Sequence, residues 1–314
     1  MSFDAVIGHE NVKLQIENAF KNGKFSHAHI IAGEDGLGKS IIAKEIAIRI
    51  LNKTEIKQYA DIIEYRIKVG KKSLGVDDIR AIVEETNRKP YEGDRKVIIL
   101  YSADLMTEAA QNAFLKTIEE PPEGMYIILL CEKLDNILDT IKSRCQTYKL
   151  YRLGEVDIIK YINKNYDKID EVELKSVRAF ADGIPGRVKN YLDSSSLKEI
   201  RVMTLELLKE CEKMKIDKIV KYEIALLKHK NEWQEVFTSM FSYIRDILIY
   251  KEIRNEKFLI NLDKLKDIIN LSEVFSFNQL DNIITIIKEA REKLERNVNT
   301  TLVFDALLMK MQEV

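Results

Sequence analysis

The stretch from His27 to Ser40, HAHIIAGEDGLGKS, decides the fold of this chain. A short apolar run enters a glycine-rich loop, and an apolar-periodic segment, IIAKEIAIRIL, follows it. This is the pattern G-x-x-x-x-G-K-[ST] between a predicted strand and a predicted helix, which is typical of a P-loop. Glycines allow the tight turn in which backbone N–H groups converge on a phosphate chain, and the helix N-terminus adds partial positive charge. The predicted nucleotide-binding residues of this loop are Gly33, Gly36, Gly38, Lys39 and Ser40.

The composition indicates a helix-rich protein of more than one domain. The chain has 314 residues, of which only 4 are proline and 12 are glycine. A length of this order predicts two or three domains. The net charge of −1 gives no general attraction to nucleic acid or to an anionic membrane. Any contact with DNA would have to come from a local patch or from partner subunits.

Cysteine usage and hydropathy limit the class of protein further. Cys131, Cys145 and Cys211 are widely spaced and form neither a metal-ligand pattern nor a disulfide framework, so we expect no zinc. The N-terminal stretch MSFDAVIGHENV lacks the apolar region of a signal peptide. No uncharged apolar run reaches transmembrane length. We therefore expect a cytoplasmic protein with no membrane partner.

The first half of the chain alternates between strand and helix patterns. Lys96–Tyr101, KVIILY, and Met125–Cys131, MYIILLC, are continuous apolar runs of strand length, as expected for strands buried on both faces. A weaker pattern at 62–69 is compatible with a short strand, and Thr107 suits the N-cap of a helix that ends before Pro121. The alternation predicts an α/β domain over 1–152, with a three-layer parallel sheet and crossover helices.

The pattern changes after about residue 153. No further apolar strand appears, and the remaining sequence has helical period. Small helices around the segment GIPG, 183–186, predict a helical lid over 153–195. Amphipathic stripes such as Leu280, Ile283 and Ile287 predict an all-α domain over 196–314.

The end of the KVIILY strand bears on hydrolysis. A P-loop motor needs an acidic residue there to hold Mg²⁺ and to orient the attacking water. The strand ends instead in Tyr101 and Ser102, and the nearest carboxylate is Asp104, which we expect in the following turn. The sequence therefore predicts that nucleotide binding is allowed and that hydrolysis is very weak.

Three further motifs carry a family resemblance. SHAHIIAG at 26–33, AAQNAFLKTIEEPP at 109–122 and SRC at 143–145 follow one another at characteristic spacings. Together they resemble the bacterial clamp-loader subunits of the AAA+ class, which include the tau/gamma motor and delta-prime subunits of DNA polymerase III. The resemblance is strong over 8–150 and weaker through GIPGR at 183–187 and the helical C-terminal third. It implies an AAA+ domain, a helical lid and a helical collar that packs with equivalent domains of partner subunits.

Departures from the motor subunit favour the delta-prime type. The motor has Asp and Glu where this chain has Tyr101 and Ser102, its sensor threonine falls at Glu132, and the four-cysteine zinc module of both subunits is missing. A delta-prime subunit is a stator that has lost hydrolysis but keeps an arginine finger, and the resemblance assigns that finger to Arg144, acting in trans. Whether the P-loop holds ATP or ADP with Mg²⁺ stays open.

The resemblance also implies partners and leaves alternatives. The partners would be the tau/gamma and delta subunits, and the sliding clamp and primer–template DNA through the complex. Arg187 lies where AAA+ lids carry a nucleotide-sensing arginine, although an ordinary surface arginine fits equally well. Glu119 and Glu120, at a helix C-terminus, would suit basic residues of a neighbour. The rival functions are a motor-type ATPase with Asp104 as metal ligand and an autonomous DNA-binding AAA+ protein.

Overall fold

The computed structural model describes residues 3, 6–55, 57–68, 70–167, 169–211, 216–296 and 298–313. The chain separates into two compact units, one of residues 1–165 and 183–186 and the other of residues 166–182 and 187–314. The sequence predicts three domains with boundaries at 152 and 195. These boundaries stay a prediction, because the two units do not test them.

The first unit is built on a five-stranded parallel sheet with the strand order β2-β3-β4-β1-β5. Every residue of the central strands β1 and β3 is buried, as expected for strands covered on both faces. The prediction of a parallel sheet is confirmed. The edge strand β2 is only partly buried, and residue 69, at the end of its predicted range, lies outside the described residues. The strands are β1 Ala28–Ala32, β2 Ile62–Tyr65, β3 Lys96–Leu100, β4 Met125–Cys131 and β5 Gln146–Lys149.

Helices cover both faces of this sheet. On one face Ile16 of α1 and Ile46 of α2 pack with Ile99 and Ile128 of the sheet. On the other face Ile79 of α3 and Phe114 of α4 pack in a second core. The three-layer arrangement is therefore confirmed. The helices of this unit are α1 Glu10–Lys21, α2 Lys39–Ile50, α3 Val76–Thr86, α4 Glu108–Glu119, α5 Asp139–Lys142 and α6 Glu155–Asn165.

Helix α4 begins and ends where the sequence predicts. Its N-cap is Thr107, whose Oγ1 accepts a hydrogen bond of 3.2 Å from the N–H of Ala110. Its last residue is Glu119, ahead of Pro121. The ring of His27 donates a hydrogen bond of 2.8 Å to the carbonyl of Ile118, so one free carbonyl at the helix end is satisfied.

The described residues of the second unit form helices and no strand. Its core includes Phe237, Tyr243 and Phe304, and the predicted stripe of Leu280, Ile283 and Ile287 is buried there. The helical C-terminal region is thus confirmed. No helix formed by the described residues combines the length and the apolar composition needed to span a bilayer. The remaining helices of the chain are α7 Glu171–Ala181, α8 Pro185–Asp193, α9 Ser195–Glu210, α10 Ile216–Lys228, α11 Trp233–Ile253, α12 Leu265–Val274, α13 Phe277–Glu295 and α14 Thr300–Gln312.

Candidate functional site

The P-loop connects the carboxyl end of β1 to the amino end of α2. The N–H of Gly33 donates to the carbonyl of Cys131 at 3.1 Å, which continues the pairing of β1 with β4. Gly38 is the N-cap of α2 and has a φ of 95°, a left-handed conformation that favours glycine. The first intrahelical bonds run from Ile41 and Ile42 to the carbonyl of Gly38. The N–H groups of the two preceding residues, Lys39 and Ser40, are therefore free of intrahelical partners, as an anion site at a helix start requires.

Lys39 lies over this loop. Its Nζ donates hydrogen bonds to the carbonyl oxygens of Gly33, at 2.7 Å, and Glu34, at 2.9 Å. The ammonium group is thus held beside the N–H groups at the start of α2. The loop, the lysine and the helix end together fit the phosphate chain of a nucleotide.

The segment 183–186 packs directly on the P-loop within the first unit. The N–H of Gly186 donates to the carbonyl of Gly36 at 2.9 Å, and Ile184 is buried in the core on the α2 side of the sheet. A Cβ atom at Gly186 would lie 2.5 Å from the Cα of Gly36, so this approach requires glycine. Arg187, the next residue, belongs to the second unit, where it lies 4.0 Å from a carboxylate oxygen of Asp182.

Tyr101 occupies the position at the end of β3 where a motor would carry an acidic residue. Its hydroxyl donates a hydrogen bond of 2.8 Å to Glu64, and the guanidinium carbon of Arg66 lies 3.4 Å from its ring centroid. Burial, together with the hydrogen bond to Glu64, raises the pKa of Tyr101 to about 12. Burial alone would raise the pKa of Glu64, but hydrogen bonds from Lys44 and Tyr101 outweigh it and the pKa is lowered. The end of β3 therefore carries a neutral phenol, and the nearby carboxylate is already paired.

Asp104 lies in the short 3₁₀ turn Ala103–Leu105 and is 8% exposed. Its two carboxylate oxygens accept hydrogen bonds from the backbone N–H groups of Glu132, at 3.3 Å, and Lys133, at 3.1 Å. Burial, reinforced by the charge of Asp104, raises the pKa of Cys131 to about 12. Among the described residues, no group of three or more His, Cys, Asp or Glu side chains is arranged to hold a metal ion.

Arg144 lies at the opposite end of the sheet from the P-loop. In the parallel pairing of β1 with β5, His29 is level with Gln146 and Ala32 with Lys149. Gln146 is level with His29 and Gly33 directly follows Ala32, so about four strand residues, or about 13 Å, separate the start of β5 from the P-loop along the sheet, and Arg144 lies in the turn before that start. The extended side chain of an arginine cannot cover that distance, so Arg144 does not serve its own P-loop.

The Arg144 side chain is 40% exposed and is held by groups of its own chain. Its Nε lies 2.6 Å from Oε1 of Glu119. Its Nη1 donates hydrogen bonds to the carbonyl of Thr140, at 2.9 Å, and to Oγ of Ser143, at 3.2 Å. Glu119, expected from the sequence to meet basic residues of a neighbour, is paired within its own chain. The pairing was missed because residues 119 and 144 are far apart in sequence.

Gln111 links α4 to the segment that precedes α5. Its side chain is 3% exposed. The amide nitrogen donates a hydrogen bond of 2.8 Å to the carbonyl of Asn136, and the amide oxygen accepts one of 2.8 Å from the N–H of Leu138. The motif at 109–122 includes this glutamine, but the sequence does not predict its role, because nothing in the pattern around a neutral amide indicates that it is buried.

Two family profiles match separate parts of the chain. A profile described as "DNA polymerase III, delta subunit" matches residues 8–154, and one described as "DNA polymerase III, delta subunit, C terminal" matches residues 202–313. The chain belongs to the clamp-loader subunit family of DNA polymerase III. The first match covers the P-loop, Tyr101 and Arg144, and the second covers most of the helical C-terminal region.

Curated relatives of this clamp-loader subunit include two different kinds from Bacillus subtilis (strain 168). The DNA polymerase III subunit tau is 25% identical over 98% of this chain, which spans 61% of that relative. The DNA polymerase III subunit delta' is also 25% identical, over 94% of both chains. The chain thus spans less than two thirds of the tau relative and nearly all of the delta' relative, and the identities do not distinguish them.

A solved structure has the same fold. The DNA polymerase III gamma subunit-related protein from Thermotoga maritima superposes with a TM-score of 0.53, at 19% identity, over 95% of this chain and 99% of its own. At that identity the likeness establishes the fold alone. The fold is thus the AAA+ fold, with a P-loop between β1 and α2.

Proposed function

We propose that this chain is the delta-prime, or stator, subunit of a DNA polymerase III clamp loader. In this role it supplies Arg144 in trans to the ATP of a neighbouring tau/gamma subunit. The observation that carries the proposal is the position of Arg144, which is exposed and lies in the turn before β5, at the amino ends of the strands, whereas its own P-loop lies at their carboxyl ends. A guanidinium does not titrate, so it brings a fixed positive charge to the γ-phosphate as negative charge develops there.

The chain's own P-loop is proposed to bind nucleotide without turnover. Lys39 would contact the phosphates of ATP or ADP, and Ser40 would ligate Mg²⁺. The role of Arg187 as a nucleotide-sensing arginine stays a proposal that rests on the family resemblance. Bound Mg²⁺ supplies charge neutralisation at the phosphates. Tyr101, donating to Glu64, offers no carboxylate to the metal or to an attacking water.

The proposed partners are the tau/gamma and delta subunits. Contact with the sliding clamp and with primer–template DNA would take place through the assembled complex, since a net charge of −1 gives the lone chain little attraction to DNA. The cytoplasm is the proposed location.

The experiment compares Arg144→Ala with Lys142→Ala in a complex reconstituted with the tau/gamma and delta partners, the clamp and primed DNA. Lys142 is a matched control, because it is a cation of the same turn that pairs with Asp139 at 2.7 Å. Loss of a finger lowers the rate at its site by about 10³-fold or more, so the total ATPase should fall by at least that site's share. Normal ATPase for a correctly assembled Arg144→Ala complex would refute the proposal.

The motor-type ATPase differs in a property of the isolated chain. It requires Asp104 to bind Mg²⁺, although both carboxylate oxygens of Asp104 accept backbone hydrogen bonds at the end of β4. Steady ATP hydrolysis by the purified chain, lost in Lys39→Ala, would favour the motor. We expect no such hydrolysis.

A further inference from the structure

Glu119 stands at an electrostatically unfavourable place in α4. It is the last residue of that helix, where a carboxylate faces the negative end of the helix dipole. Its Oε1 lies 2.6 Å from Nε of Arg144, and both side chains are 40% exposed. A residue that opposes a local preference needs a compensating interaction, and Arg144 provides one.

The backbone is anchored on both sides of this pair. Next to Glu119, the side chain of Ile118 is fully buried and its carbonyl accepts a hydrogen bond from the ring of His27. The backbone N–H of Arg144 donates a hydrogen bond of 3.0 Å to the carbonyl of Ile141, whose side chain is also fully buried. The carboxylate and the guanidinium are thus presented to each other from fixed positions.

The contacts of Arg144 fix the plane of its guanidinium. Oε1 of Glu119 forms an ion pair with the guanidinium, 2.6 Å from Nε, and Nη1 donates hydrogen bonds to the carbonyl of Thr140 and to Oγ of Ser143. Within the part of the chain that the structure describes, Nη2 has no hydrogen-bond partner of its own. A planar guanidinium held at two nitrogens keeps the N–H groups of the third in a defined direction, available to an anion.

We infer that Glu119 is a positioning residue for Arg144, orienting its guanidinium so that Nη2 can meet the triphosphate of the neighbouring subunit. This inference rests on the proposed function of Arg144. An arginine side chain loses considerable rotamer freedom when it becomes ordered. The pairing with Glu119 imposes much of that order before the subunits meet. The guanidinium keeps its full charge in the pair because it does not deprotonate.

The test measures the clamp- and DNA-stimulated ATPase of the reconstituted complex containing Glu119→Ala, Glu119→Gln or Glu120→Ala. Glu120 is the matched control, since it carries the same charge one residue away and its exposed side chain forms no hydrogen bond or ion pair with the described residues. Exposed ion pairs are weak, so Glu119→Ala should lower kcat by roughly two- to five-fold with an unchanged KM for ATP. Glu119→Gln should restore part of kcat, because its amide keeps a partially negative oxygen beside Nε. Glu120→Ala should match the wild type.

A double substitution separates positioning from a structural effect. If Glu119 acts through Arg144, then Glu119→Ala combined with Arg144→Ala should be no slower than Arg144→Ala alone. The inference would be overturned if Glu119→Ala raised kcat or left it unchanged. It would also be overturned if Glu119→Ala lowered kcat by the same factor in the Arg144→Ala background as in the wild type. If Arg144→Ala itself has no effect, the proposed function fails. If Arg144→Ala lowers the rate and Glu119→Ala does not, only the role of Glu119 fails.

Discussion

Lys96 is a fully buried lysine at the start of β3. Its Nζ lies 2.9 Å from Oε1 of Glu85 on α3, while Oε2 of Glu85 accepts a 2.9 Å hydrogen bond from Arg88. The two partners are therefore not equivalent. Removing Glu85 leaves a buried ammonium without its counter-ion, whereas removing Lys96 leaves Glu85 paired with Arg88.

We expect Glu85→Ala to destabilise the first unit by about 3–5 kcal/mol. Lys96→Met, which keeps the volume and removes the buried charge, should cost less than about 1.5 kcal/mol. Amide hydrogen exchange in β3 would measure both, because these central amides report the opening of the sheet. Equal losses for the two variants would contradict this asymmetry.

Because His29 on β1 is buried, we expect the folded protein to lose stability in acid. The side chain is fully buried, with its ring centroid 4.1 Å from that of Phe25, and burial lowers its pKa to about 4. In the unfolded chain a histidine binds its proton near pH 6.5. As pH falls from about 6.5 to about 4 the unfolded state gains a proton that the folded state does not, which removes up to about 3 kcal/mol of stability.

The variant His29→Gln should lose this component of the acid sensitivity. Its amide can still donate to the carbonyl of Ser26, which the ring of His29 contacts at 2.6 Å. Denaturant unfolding at pH 7 and at pH 4.5 would give the difference, with carboxylate contributions common to both proteins. An identical pH dependence for wild type and variant would show that His29 is not responsible.

The residues of the site differ in how well the sequence predicts them. Lys39 and Ser40 are evident because a P-loop is a local pattern, with its strand, glycines and helix within one stretch. Arg144 is evident only through the SRC motif, because a single arginine beside a helix end has no signature of its own. Glu119 and Glu64 could not be predicted, since their partners come from elements far away in sequence.

At the scale of elements, predictability follows burial. The strands β3 and β4 are covered on both faces, so their sequences are continuous apolar runs that indicate strand without further help. The strand β2 lies at the sheet edge and its residues are only partly buried, so its pattern is weak. Helix α4 is well predicted because its N-cap, Thr107, is a local signal.

The contact between the P-loop and the segment 183–186 gives a prediction at this scale. In Gly186→Ala the new Cβ would lie 2.5 Å from the Cα of Gly36, and backbone atoms cannot move aside as a flexible side chain can. The overlap should cost about 1–3 kcal/mol and weaken the hydrogen bond from Gly186 to Gly36. Gly93→Ala is the matched control, because a Cβ at Gly93 would meet nothing within 4 Å.

Thermal unfolding and limited proteolysis would measure this effect. Gly186→Ala should unfold at a lower temperature than Gly93→Ala and should be cleaved faster near the P-loop. Equal behaviour of the two variants would mean that the P-loop does not depend on the 183–186 segment.

At the scale of the whole molecule, the parallel sheet separates the two sites of the proposed function. The carboxyl ends of all the strands lie at one end of the sheet, which carries the P-loop. The amino ends lie at the opposite end, where Arg144 precedes β5. Under the proposed function, a single chain thus carries a site for its own nucleotide and a distinct group, Arg144, for the nucleotide of a neighbour. Loss of hydrolysis at the first need not affect the second.

This separation predicts opposite outcomes for two substitutions in the assembled complex. Lys39→Ala removes the ammonium group that contacts the carbonyls of Gly33 and Glu34, so it should abolish the thermal stabilisation of the isolated chain by ATP and Mg²⁺. It should nevertheless leave the ATPase of the complex within about twofold of wild type, because the proposed function assigns the hydrolysis to the tau/gamma subunits. Arg144→Ala should do the reverse, keeping nucleotide binding by the isolated chain and lowering the ATPase of the complex. If Lys39→Ala instead stopped hydrolysis by the complex as Arg144→Ala does, the chain would consume ATP at its own P-loop, and Tyr101 at the end of β3 would not prevent it.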